Sequence, residues 1–457
     1  MITTDDTLAA AFGAGFAGTV FTPAAAGYEE ARGVWNGTVQ TRPAVIARCR
    51  TTTDVIAAVN LARTAGVSPA VRAGGHSVAG HSSCDGGVVI DLQSMRRVAV
   101  DPDAKTAAVE PGATWADFDA ATAVHGLAST GGLISTTGVA GLTLGGGIGW
   151  LQRRYGLACD NLRAAHVVTA DGDLVEADES LLWGLRGGGG NFGIVTRFVF
   201  DLHPLSTILG GLLMFPLDRG EEVLRAFREW ALGAPDEASM MVALNSAPPA
   251  PFVPADLVGQ KVVALLGCWC GDLAEGEAAL ARLRDLRPAV DLFGPMPYPA
   301  LQGMLDAGAP RGLRNYFRGG YVADLGDDVI ATALDHAARM RSPMSQIHFH
   351  HMGGAVARFG TATSSFSGRS AGYTYNLIGT WTDPDEDDVH IAGVRALSEA
   401  LALLSLPGGY VNFVSDGADH AVPAAYGEEI YRRLARLKRE YDPHNLFCRN
   451  QNVQPAP

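Results

Sequence analysis

Lysine is nearly absent from this chain of 457 residues, where Lys105, Lys261 and Lys438 are the only three. With 35 lysines plus arginines against 48 aspartates plus glutamates, the formal charge is −13. A polyanion would be held against that field, so no nucleic-acid partner is expected. Cysteine is sparse as well. Cys49, Cys84, Cys159, Cys268, Cys270 and Cys448 are scattered, and the closest pair is C-x-C rather than C-x-x-C. A chain of this length needs no covalent staples, so these read as free thiols. No apolar run reaches the roughly 18 residues of a membrane span. Asp5 and Asp6 stand where a secretory leader would carry positive charge. A cytoplasmic protein without a membrane partner is the expectation. No G-x-x-x-x-G-K-S/T occurs, which argues against nucleotide hydrolysis.

Glycine is the excess, with 56 residues, well above an average usage of about 7%. Two G-x-G-x-x-G matches, Gly13–Gly15–Gly18 and Gly188–Gly190–Gly193, raise the possibility of a dinucleotide site. That motif works by following a strand and opening a helix, so that a pyrophosphate meets the helix N-terminus. The first match has no strand before it. The second follows the helix-like SLLWGLR and leads into the strand IVTRFVF, so neither supports a nicotinamide dinucleotide. Two other loops are more informative: VRAGGHSVAGHSS, from Val71 to Ser83, and GGLISTTGVAGLTLGGGIGW, from Gly131 to Trp150. Successive glycines let backbone N–H groups converge on an anion, with Ser77, Ser82, Ser83, Ser135, Thr136 and Thr137 as neutral donors. His76 follows Gly74–Gly75 in the centre of the first loop. It reads either as a loop histidine bonded to backbone or as an anchor for a cofactor whose phosphates lie in that loop.

The coarse pattern is α+β. VIAAVNLARTAG is a helix opened by Thr53 or Asp54 and stopped at Gly66, and Asp171–Gly172 reads as a hairpin turn. From Leu202 to about Leu406, four amphipathic helices alternate with strands such as KVVALLGCWCG, SQIHFHHMGGAVAR and YTYNLIGTW. This suggests a second domain of sheet covered by helices, with a proline-rich loop at Pro248–Pro254. Strand alternation sends His348 and His350 to one face and Phe349 and His351 to the other. H-x-H-H is also a compact imidazole cluster, but no nearby Cys or Glu completes a metal spacing, and no metal is expected.

VRAGGHSVAGHSSCDGGVVIDL, GVAGLTLGGGIGWLQRRYGLACDNL, WGLRGGGGNFGIVTRFVFDLHP, GGYVNFVSD and YDPHNLFCRNQNV, in this order over essentially the entire chain, resemble one family. It is the berberine bridge enzyme-like FAD-linked oxidases of the vanillyl-alcohol oxidase superfamily. The resemblance implies a p-cresol methylhydroxylase-type two-part FAD-binding domain, residues 1–205 plus a returning segment 407–457. A substrate domain, residues 206–406, would lie between them, with an antiparallel sheet covered by helices. His76 matches the histidine that carries the flavin 8α-methyl covalently. Where many relatives have a cysteine making a second link, this chain has Ile134, which implies one covalent bond through His76 alone. Ile148 replaces a tyrosine of plant-type relatives, and Thr137 stands at the position associated with oxygen access.

The resemblance further implies FAD contacts at Arg72, Gly74, Gly75, Ser77, Gly80, His81, Thr136, Thr137, Gly138, Gly141, Gly145, Gly149, Gly193, Val195, Asn412, Asn450 and Asn452. Such an oxidase needs a base near the hydride-donor carbon. His348 or His350 is the leading candidate, with Tyr410 matching a tyrosine used beside the flavin as base or substrate contact. The expected activity is hydride removal from a small alcohol, phenol or amine of secondary metabolism, with reoxidation by molecular oxygen. A flavin-dependent oxygenase is the alternative, and a non-catalytic ligand-binding protein of the same fold is a third. The acidic surface does not choose among substrates.

Overall fold

The computed structural model describes residues 5–13, 15–416 and 422–457. Local sequence sets the early elements. The Thr52–Ala65 helix starts slightly earlier than expected, because Thr51 is its N-cap and Asp54 closes a capping box as the third helical residue. Gly66, at φ 69°, ends it in the left-handed conformation that glycine adopts freely. This helix packs on a four-stranded sheet ordered Thr19–Phe21, Val45–Arg48, Val88–Asp91, Ala70–Arg72, whose last three strands run parallel. A second, antiparallel sheet orders Val98–Asp101, Thr106–Val109, Ile194–Asp201, Leu162–Val168 and Leu174–Glu176. The Asp171–Gly172 turn joins its last two strands, with Gly172 at φ 84°.

The third sheet is antiparallel and has eight strands, with Lys261–Trp269, Ala238–Ser246, Gln346–His351, Tyr373–Trp381 and Arg314–Val322 adjacent in that order. Strand alternation divides its core. Val242, Leu244, Val263, Leu265, Ile347 and Phe349 pack under the helices Gly220–Leu232, Asp327–Arg339 and Asp387–Ala402. Met241, Ala243, Ala264 and Leu266 occupy the opposite face, with Trp150 and Leu151 of the N-terminal half. The strand expected through SQIHFHHMGGAVAR stops at His351. Gly353 and Gly354, at φ 83° and 54°, turn the chain, and Ala355–Arg358 is helical.

After Val422 the chain returns to the N-terminal half. Leu434, Leu437 and Val453 share a core with Trp115, Phe192 and Phe198. Among the described residues, no helix is long and apolar enough to cross a membrane.

Candidate active site

The two glycine loops meet at one point. A Cβ on Gly74 would lie 2.4 Å from Gly138 N, and a Cβ on Gly138 would lie 2.6 Å from Gly74 N. Only two glycines permit that backbone approach. Beside it opens a cavity of about 1130 Å³, walled on one side by the loops and the C-terminal tail and on the other by the third sheet. This exceeds the upper end, about 1,000 Å³, of ordinary small-molecule sites.

His76 faces this cavity. Its ring stacks on Trp35, with centroids 5.3 Å apart and planes at 16°, and Thr136 Oγ1 lies 3.4 Å from its Nε2. The open part of His76 borders the cavity. Burial, with a smaller contribution from Arg311, pushes its imidazole down to about 4, so it is neutral at neutral pH.

On the sheet wall stand His348 and His350, with ring centroids 5.7 Å apart. His348 Nε2 is 2.8 Å from Gln346 Oε1. The carbonyl oxygen accepts, so Nε2 carries the proton and Nδ1 keeps its lone pair. Burial pushes His348 down to about 4 and His350, which also feels His348, well below the ordinary imidazole value. His350 Nε2 is buried without a protein partner. His351 points to the other face, where it stacks on Tyr373 and contacts Arg153, so the strand splits the imidazole cluster.

Tyr410 lines the cavity, yet its oxygen is occupied. Gly147 N at 3.0 Å, Ile148 N at 3.3 Å and Asn412 Nδ2 at 2.9 Å all donate to it. Burial outweighs these donors and raises the phenol to about 12. The Gly147 and Ile148 N–H groups, which the glycine run offers to an anion, are therefore committed to Tyr410.

Gly74, Gly75, Ser77, His81, Thr137, Gly138, Gly141 and Gly145 are on the cavity wall, as are Gly193, Val195, Asn412 and Asn450. Five expected contacts stand off it. Arg72 is fully buried and paired with Asp91 at 2.9 Å, supporting the loop from behind Gly75. Gly80, at φ 80°, makes the turn before His81, and a Cβ there would meet Val39 at 2.9 Å. A Cβ on Gly149 would sit 1.7 Å from Gly131 O, so its glycine answers to a backbone crossing. Thr136 is exposed beside His76, and Asn452 is buried outside the wall. Loop sequence does not specify which side of a turn faces inward.

Residues 43–178 match the FAD binding domain family, and residues 409–454 match the berberine and berberine like family. The chain is 31% identical over 430 residues to a FAD-linked oxidoreductase of Dictyostelium discoideum, covering 92% of this chain and 91% of that protein. It belongs to the berberine bridge enzyme-like FAD-linked oxidases. It is also 29% identical to the (R)-6-hydroxynicotine oxidase of Paenarthrobacter nicotinovorans, over 96% of this chain and 97% of that one. The crystal structure of 6-hydroxy-D-nicotine oxidase from Arthrobacter nicotinovorans superposes with a TM-score of 0.86 at 28% identity, covering 96% of this chain and 98% of that one.

The unpaired polar atoms of this cavity fit FAD. His81 Nε2, Ser82 Oγ, Tyr426 Oη and Asn450 Oδ1 are buried on or against the loop and tail side and lack a protein partner. Unpartnered buried polar atoms are costly unless a ligand or water satisfies them. Arg449 adds a positive charge on that side, near His81.

Sequence reasoning missed Trp35, Tyr426 and Asn376. The signal for Asn376 is its place in YTYNLIGTW, an amide inside an otherwise apolar strand on the same parity as Thr374 and Thr380. Trp35 lies 41 positions before His76, and nothing local links them.

Proposed function

We propose that this oxidase removes a hydride from a small organic alcohol, phenol or amine, with FAD tethered by one covalent bond through His76 and molecular oxygen as final acceptor. The observation that carries this reading is that His76, in the loop wall, and His348 with His350, on the sheet wall, open onto one cavity. Bound FAD supplies the hydride acceptor and the oxygen-reactive centre. The chain does the rest. His76 is held neutral, so a ring nitrogen keeps the lone pair that a tether requires, and Trp35 fixes the ring plane. Ile134 lines the cavity, and among the described residues no cysteine does, which supports a single bond. His348 Nδ1 is the better base, because Gln346 fixes its tautomer; His350 adds an imidazole free to donate or accept. Tyr410, protonated through neutral pH, organises the Gly147–Ile148 backbone, which supports a role as wall contact rather than base. Thr137 gives the wall a small side chain where oxygen would approach.

The purified protein should be yellow, and the colour should remain with the chain after acid precipitation. His76→Ala should release it. Quantitative release of flavin from the unaltered protein would sink the tether. Retention of labelled oxygen in the product would replace the oxidase with an oxygenase.

A further inference from the structure

The sheet wall of the cavity is chemically divided. Leu212, Leu266 and Met241 form one cross-strand row, and Met214, Ala264 and Ala243 form the next. Both rows run on into polar residues, the first to His350 and Thr374, the second to His348 and Asn376. His350 and Asn376 are each only 3% exposed, and His350 Nε2, Asn376 Oδ1 and the nearby Asn245 Oδ1 have no protein partner. Among the described residues, Arg449 is the one charged side chain lining the cavity, and it belongs to the tail, where it donates to Ser68 O at 3.1 Å. The sheet wall itself carries no carboxylate, lysine or arginine. Three large apolar side chains that also line the cavity, Phe252, Val258 and Leu292, are 42%, 37% and 38% exposed.

We infer that the substrate of this enzyme is uncharged and mainly apolar, hydrogen-bonding along one edge only, and that Asn376 with His350 reads that edge. The inference rests on the reading that the glycine loops and tail hold the flavin and leave the sheet wall to the substrate. A charged substrate would be desolvated there without a counter-ion, which disfavours its binding. A sugar presents hydroxyls on every side, and each one buried against the methionine and leucine rows gives up its hydrogen bonds to water with nothing in return. A flat hydroxylated ring system meets neither penalty. Its body covers the apolar rows, its hydroxyl or carbonyl meets the Asn376 amide and His350, and Phe252, Val258 and Leu292 give it an apolar approach. Asn376 is thus a specificity-determining residue, and its unpaired oxygen is the feature that an edge donor would satisfy.

The test uses the flavin-loaded enzyme without oxygen. Affinities for 2-naphthol, 2-methylnaphthalene, 2-naphthalenesulfonate and cellobiose are read from the perturbed flavin spectrum. 2-Naphthol should bind at least about ten-fold more tightly than the sulfonate or cellobiose, a margin of about 1.4 kcal/mol. Asn376→Leu should weaken 2-naphthol by about ten-fold and leave 2-methylnaphthalene within about two-fold, the pattern of one lost hydrogen bond. Asn376→Ser, smaller and still polar, should fall between. Equal or tighter binding of the sulfonate or cellobiose overturns the substrate class, and the unaltered protein decides that point without any variant. Equal weakening of both naphthalenes by Asn376→Leu overturns the role of Asn376. If the protein carries no flavin, the proposed function fails, while the same four affinities by calorimetry still decide the class.

Discussion

Replacing Lys438 by methionine probes how the C-terminal tail is held beside the cavity. Lys438 and Asp442 are fully buried, and Lys438 Nζ donates to Asp442 Oδ2 at 2.7 Å, Asn191 O at 2.9 Å and Phe447 O at 3.0 Å. All three protons of the ammonium are used. Asp442 in turn accepts from Leu446 N and Phe447 N, so one ion pair ties the last helix to the loop at Asn191 and to the start of the tail. Asn450 and Gln451, which line the cavity, follow directly. Methionine keeps the apolar stem but leaves the buried Asp442 carboxylate without its counter-ion and the Asn191 carbonyl without a donor, while Phe447 O keeps its bond from Asn450 Nδ2. Removing one partner of a buried pair costs about 3–5 kcal/mol. The loss should fall on the tail, so hydrogen exchange of the amides from 442 to 453 should accelerate by roughly a hundred-fold or more, at about 1.4 kcal/mol per factor of ten. Flavin retention should fall with it. Lys438→Met combined with Asp442→Asn, which removes the stranded charge, should recover part of the protection. A single variant whose tail exchanges as slowly as the unaltered protein would refute this reasoning, as would a double variant worse than the single.

Gly74→Ala forces a methyl against the Gly138 backbone, and overpacking of this kind costs about 1–3 kcal/mol. It should reduce both the denaturation midpoint and the flavin content, and normal flavin content would show that the loops need not touch. Tyr410→Phe removes an oxygen that accepts from three donors, at about 1–3 kcal/mol for the groups left unpaired. Because Tyr410 is held near 12, the variant should lower kcat without moving the pH profile between about pH 6 and 9. His348, held at about 4, is already an unprotonated base at neutral pH, so kcat/KM should decline only below about pH 5. An inflection near 6.5 that disappears in His348→Gln would contradict this. The same depressed value means that burying neutral His348 contributes stability above the unfolded pKa of about 6.5 and loses it as pH falls toward 4. Thermal midpoints at pH 7 and pH 5 should therefore converge in His348→Gln relative to the unaltered protein.

The elements readable from the chain are those with strong local causes. The Thr51 and Asp54 capping box, Gly66 and the Asp171–Gly172 turn each fix a boundary by hydrogen bonds or φ values that neighbouring residues decide. Period-two alternation fixed that His348 and His350 share a face, and the sheet kept it. The strand ends at His351, short of the expected segment, because Gly353 and Gly354 turn the chain at positive φ before Ala355–Arg358 becomes helical.

The site was legible in part. The amino-acid sequence alone determined the family, the loop histidine and the absence of a cysteine at Ile134, because these are matters of residue identity within short segments. Only the tertiary structure decided that Gly74 meets Gly138, that Trp35 stacks on His76, and that Tyr410 spends its oxygen on Gly147 and Ile148. It also decided that Arg72, Gly80 and Gly149 support the loops from outside the wall, and that Asn376 faces the cavity unpaired. The physical reason is one of range. Backbone conformation and side-chain parity follow from adjacent residues, whereas close approach, burial and the pairing of polar atoms depend on segments that folding brings together from far along the chain.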